Sequence, residues 1–110
     1  MKHLPSLALA FALMLDHASA MAVEPGNAAL GLQKSASCVS CHEAHGRSTG
    51  TSLFPRIGGQ NFEYLYYALR EYRDGARARG WAPAMMSDAV RNFSDEDLRD
   101  VARYFSSLPW

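Results

Sequence analysis

Apolar residues are arranged along this chain in two ways. From Leu4 to Leu15 they form a nearly unbroken run. Farther on, Phe62, Leu65, Tyr66, Leu69 and Tyr72, and again Leu98, Val101, Ala102, Phe105 and Leu108, recur at the spacing of one helix face. The two periodic stretches predict helices over Asn61–Asp74 and Ser94–Leu108. Asn61 can cap the first, and Gly75 stops it. Ser94 caps the second with Asp97 in capping-box position, Asp95 and Glu96 suit its positive end, and Pro109 terminates it. Ala28–Ser37 predicts a shorter helix, weakened by Gly31. Arg47–Gln60, rich in Gly, Ser and Thr with Pro55 inside it, and Gly75–Pro83, containing Arg and Gly, read as loops. Met85–Asn92 has too little periodicity to assign. No strand alternation, repeat or low-complexity segment is present, so the expectation is a small all-α domain with long connections. Loops of that length are uncommon unless they serve something, and a large apolar cofactor at the centre would explain both them and the thin helical core.

The first apolar run has a separate meaning. Lys2 supplies a positive start, Asp16 and His17 restore polarity, and Ala18-Ser19-Ala20 places small residues at a cleavage site. This is the pattern of a secretory signal peptide cleaved after Ala20. Twelve apolar residues reach only about 18 Å as a helix, against a bilayer core of about 30 Å. The expected organisation is residues 1–20 as a cleaved signal, 21–27 as a flexible lead-in and 28–110 as the working domain. The product is then exported, to the periplasm in a Gram-negative host, with no membrane insertion after cleavage.

Composition adds mainly exclusions. The 110 residues carry 11 basic and 11 acidic side chains, which argues against a nucleic-acid binder. An apolar content of 48% excludes wholesale disorder, and two cysteines cannot staple a disulfide scaffold.

Those two cysteines lie in Cys38-Val39-Ser40-Cys41-His42, the C-x-x-C-H attachment signature of c-type haem. Two thiols one helical turn apart can add to the two vinyl groups of one haem, and the adjoining imidazole is carried beneath the porphyrin to the iron. A thiol–disulfide redox site would call for a βαβ surround, a zinc site for a second ligand pair, and a Cys38–Cys41 disulfide is sterically tight. An electron carrier needs a second axial ligand. His45 follows His42 too closely to reach the other face, which leaves the thioethers of Met21, Met85 and Met86.

With CVSCH at 38–42, LFPRIGGQ at 53–60, APAMMSDAV around the methionines and FSDEDLRDVARYFSSL at 93–108, the sequence resembles the class I c-type cytochromes. The likeness is to the small bacterial monohaem group and to single domains of periplasmic dihaem cytochromes. It implies a small cytochrome c fold of about three to five helices wrapped around one covalently bound haem. It implies that Cys38 and Cys41 carry the thioethers and His42 is the proximal ligand. By the same resemblance the Pro55 carbonyl accepts a hydrogen bond from the proximal imidazole. Met86, eight residues before Ser94, matches the distal methionine, a spacing Met85 does not fit. Gly31 and Tyr104 or Phe105 match a close crossing of first and last helices. One departure stands out: the family often has glycine after the histidine, where this chain has Glu43.

The function expected is transfer of single electrons between redox partner proteins through one haem c, with no catalysis, by a monomer or weak dimer. The competing readings are an electron-transfer subunit of a dehydrogenase or oxidase complex, and a haem peroxidase or ligand sensor. Arg70, Arg73, Arg77 and Arg79 form a basic cluster and Asp88, Asp95, Glu96, Asp97 and Asp100 an acidic one, a layout that either steers partners or is ordinary solvated surface.

Overall fold

A computed structural model describes residues 2, 23–47, 54–77 and 81–110. The expected export segment beyond Lys2, together with Met21, residues 48–53 and Arg79, lies outside them. Five helices follow in order: α1 (Ala28–Lys34), α2 (Ala36–His42), α3 (Phe62–Asp74), α4 (Trp81–Val90) and α5 (Asp95–Ser106). The described residues contain no strand.

The locally signalled ends fall where the sequence puts them. Asn61 accepts from the Tyr64 amide at the start of α3, and Gly75 closes that helix in the left-handed conformation at φ 83°. Ser94 and Asp97 form both hydrogen bonds of a capping box on α5. Two helices differ from expectation. The segment read as one helix over Ala28–Ser37 breaks at Ser35, whose amide and hydroxyl both turn back to the Leu32 carbonyl, and α2 then continues through His42. The segment read as loop through Pro83 is already helical at Trp81. Pro83 lies in the first turn of α4, where its missing N–H deprives the helix of nothing.

The core is built by α5 against α3, with α4 packed on α3. Leu98, Val101, Ala102 and Phe105 are at most 1% exposed, and Leu65, Tyr66 and Val90 pack on them. Across the other side, α1 crosses α5 at Gly31. A Cβ there would lie 1.9 Å from the Asp100 carbonyl oxygen and 2.8 Å from the Tyr104 Cβ, so the backbones meet without room for a side chain. Of the two aromatics the resemblance offered, it is Tyr104 that packs against this glycine. Below the crossing, Asp100, only 3% exposed, accepts from the Asn27 amide at 2.8 Å and from Lys34 Nζ at 2.6 Å. Arg103 donates to the Pro25 carbonyl and stacks its guanidinium 3.8 Å over Phe62. The stretch expected as a flexible lead-in is therefore tied to α5 from Pro25 onward.

Candidate functional site

Between these elements lies a cavity of about 260 Å³. Cys38, Cys41 and His42 border it from α2, and Met85 and Met86 from α4. Leu65 and Leu69 of α3 and Val101 and Phe105 of α5 supply apolar wall, and Phe54 and Ile57 complete it from the loop before α3. The long connections thus border the site, as their length requires.

Helix α2 sets the spacing of the sulfur atoms and the imidazole. Cys38 and Cys41 are three residues apart, one turn of helix, and neither forms a disulfide. Burial pushes the Cys38 thiol above its ordinary value. His42 is 6% exposed, and its Nδ1 is 2.8 Å from the Pro55 carbonyl oxygen. A carbonyl can only accept, so Nδ1 carries a proton and donates it, which leaves Nε2 as the ring nitrogen available to a ligand. Phe54 stands edge-on to the ring at 6.3 Å between centroids. The loop carrying Pro55 is pinned in turn, because the Ile57 and Gly58 amides both donate to the Gly46 carbonyl and the Gly59 amide donates to that of Phe105. Tyr104 holds the other strand of this loop by donating its hydroxyl to the Ala44 carbonyl at 3.0 Å.

The two methionines differ in setting. Met85 is 45% exposed, whereas Met86 is partly buried, although both border the cavity. Arg56 and Arg77 stand at its edge. Arg77 pairs with Glu71, while Arg56 donates to the carbonyls of Gly58 and Pro109 and lies 4.7 Å over the Trp110 ring. A soft thioether, a neutral imidazole, two thiols one turn apart, an apolar wall and arginines at the edge are the donor set and surround that a covalently held, iron-bearing dicarboxylate macrocycle needs. The residues present fit that group.

The charge clusters seen in the sequence are largely spent within the molecule. Arg73 pairs with Asp74 and Asp95, Asp88 with Arg91, and Asp97 and Asp100 with Lys34. Sequence reasoning took Asp100 for surface acid. No signal within α5 marks it as buried, since its partners come from α1 and the segment before it. Phe54 and Arg56, which border the cavity, are likewise not singled out by the sequence pattern.

Comparison with known proteins places these features. Residues 28–109 match the family model described as Cytochrome c. The chain is 40% identical over 82 residues to cytochrome c-554(548) of Halomonas halodenitrificans, covering 74% of this chain and 96% of that protein. It is 39% identical over 82 residues to cytochrome c4 of Pseudomonas aeruginosa, again over 74% of this chain but only 38% of the relative. Among solved structures, reduced recombinant cytochrome c4 from Pseudomonas stutzeri superposes with a TM-score of 0.67 at 34% identity, covering 76% of this chain and 46% of that one. The chain thus spans nearly all of the first relative and less than half of the cytochromes c4.

Proposed function

The chain belongs to the cytochrome c family, and from that premise we propose that it is an exported monohaem electron carrier whose iron is held by His42 and Met86. Membership brings covalently bound haem c with its iron, and electron transfer with redox partner proteins. The observation that carries the finer reading is that Cys38, Cys41, His42 and Met86 border one cavity although they come from two helices.

Haem iron supplies the one-electron couple when bound, and the rest falls to the chain. Cys38 and Cys41 form the two thioether links and fix the group at α2. The His42 imidazole, its Nδ1 proton committed to Pro55, offers Nε2 as the proximal donor in one orientation. Met86 would offer a neutral, soft sulfur from α4, a ligand type that favours the reduced state and raises the potential. Leu65, Leu69, Val101 and Phe105 keep water from the site, so added positive charge is poorly solvated there and the surround rearranges little between oxidation states. If His42 and Met86 both held the iron, no ligand position would be left for substrate or oxygen, and the chain would carry electrons without catalysing a reaction.

Residues 1–20 are read as a cleaved export signal, which supports a periplasmic location in a Gram-negative host; a monomer or weak dimer is proposed alongside it. No helix among the described residues is long and apolar enough to cross a membrane. The deciding experiment is the absorption spectrum of the purified holoprotein. A sharp reduced-state alpha band and an oxidised-state methionine–iron charge-transfer band are expected. Met86→Ala abolishes the second band and Met85→Ala leaves it. The reverse outcome exchanges the ligands, and absence of the band from the parent protein favours an open-site peroxidase or sensor instead.

A further inference from the structure

Ser87 follows Met86 directly in α4, and its hydroxyl donates to the carbonyl oxygen of Tyr72 in the last turn of α3 at 2.7 Å. That carbonyl is one of the four that α3 cannot satisfy within itself at its C-terminal end. Among the described residues the chain after the helix does not take it, because the amides of Gly75, Ala76 and Arg77 all turn to the carbonyl of Glu71. The hydroxyl of Ser87 therefore caps α3 from another helix. Serine is an indifferent helix former, and inside a helix it usually faces solvent or bonds its own preceding turn. Here it does neither.

The link matters because it lies in the turn of α4 that carries Met86, on the face where α4 packs against α3. Val90 is buried at its far end, but Ala84 and Met85 are exposed. Among the described residues, Ser87 to Tyr72 is the hydrogen bond that joins α4 to another helix. We infer that Ser87 is a positioning residue for the distal ligand, holding the turn that carries Met86 against α3 so that the thioether stays at the iron. The inference rests on the reading of Met86 as that ligand.

The test is displacement of the methionine in the oxidised holoprotein by imidazole, followed through loss of the charge-transfer band. Losing a neutral hydrogen bond of this kind corresponds to a roughly five- to tenfold change in an equilibrium constant. Ser87→Ala is therefore expected to lower the apparent imidazole Kd about five- to tenfold. Ser87→Thr, which keeps the hydroxyl, stays within about twofold of the parent. Asn27→Ala, which removes the cap of α1 and lowers global stability away from the site, also stays within about twofold. The inference is overturned if Ser87→Ala binds imidazole as the parent does, or if Asn27→Ala tightens binding equally. Met86→Ala separates the two levels. If that variant keeps the charge-transfer band, the ligand reading fails and this inference with it. If it loses the band while Ser87→Ala changes nothing, the positioning role alone fails.

Discussion

The imidazole of His42 and the backbone of Pro55, 13 residues apart in sequence, are joined by a 2.8 Å hydrogen bond from Nδ1 to the carbonyl oxygen. Because the acceptor belongs to the main chain, any residue at position 55 can supply it. What proline adds is a fixed φ in a loop that must present the carbonyl in one place. Pro55→Ala is expected to keep the hydrogen bond and to lower stability by about 0.5–1 kcal/mol through greater freedom of the unfolded chain. Denaturant unfolding measures the loss, and the Nδ1 proton resonance of the reduced protein, still present, reports that the bond survives.

Gly31 leaves no tolerance at the crossing of α1 and α5. A methyl group there meets the Asp100 carbonyl oxygen at 1.9 Å, and that oxygen belongs to backbone in the middle of a helix. The helices must separate to admit it. Gly31→Ala is expected to destabilise the holoprotein by about 3 kcal/mol, despite alanine's better helix propensity. Thermal unfolding of the two proteins side by side measures this, and a neutral result would mean that the helices stand farther apart.

Glu43 has the backbone conformation that glycine favours, at φ 67° and ψ 162°. For a residue with a Cβ this costs roughly 1–3 kcal/mol. Glu43→Gly removes that cost and increases the entropy of the unfolded chain, so a net gain of about 1 kcal/mol is expected. An upward shift in the denaturant midpoint with unchanged slope is the signature.

Lys34 bridges Asp100 and Asp97 at 2.6 and 2.8 Å. The hydrogen bonds to Asp100 and then Asp97 raise the Lys34 ammonium above its ordinary value, and Lys34 holds Asp97 below the usual carboxylate value. A depressed acid stabilises the fold above its unfolded pKa, and that contribution is lost as the pH falls through the folded value. A raised lysine loses its contribution only on the alkaline side, beyond its ordinary value. The bridge therefore contributes evenly near neutrality and weakens below about pH 4. Lys34→Met leaves the nearly buried Asp100 with the Asn27 amide as its remaining partner among the described residues, and a loss of about 2 kcal/mol at pH 7 is expected, moderated by the partial exposure of the lysine. Denaturant unfolding between pH 3 and pH 7 checks both parts, the difference between parent and variant narrowing at the acid end.

The helices that could be read from sequence are those whose signals are local. Asn61 and Gly75 bracket α3, and Ser94 with Asp97 starts α5, because caps and stops act within one turn. Helices α2 and α4 gave no such signal. The sequence of α2 is ASCVSCH, small and polar with His42 as its one buried residue, so it has no apolar stripe to detect. Helix α4 has a proline in its first turn and faces a cavity rather than a continuous core. The cysteines and histidine were legible as chemistry before any fold was known. The Pro55 contact came only through family resemblance, since nothing about a loop proline says where its carbonyl points. Ser87 and Asp100 act across elements, and their partners 15 and 73 residues away leave no trace in the local pattern.

The clasp between α1 and α5 closes a loop of 73 residues from Asn27 to Asp100, and nearly everything that borders the cavity is strung between its two ends. Such a long closure is slow to form and brings no local reward until both ends meet. Synthesis from the N-terminus delivers the cysteines long before Asp100 and Tyr104. Until α5 is complete the clasp cannot form, so the segment carrying the two thiols is not yet closed in by it. Once the last helix arrives, the same clasp shuts the cavity around its contents.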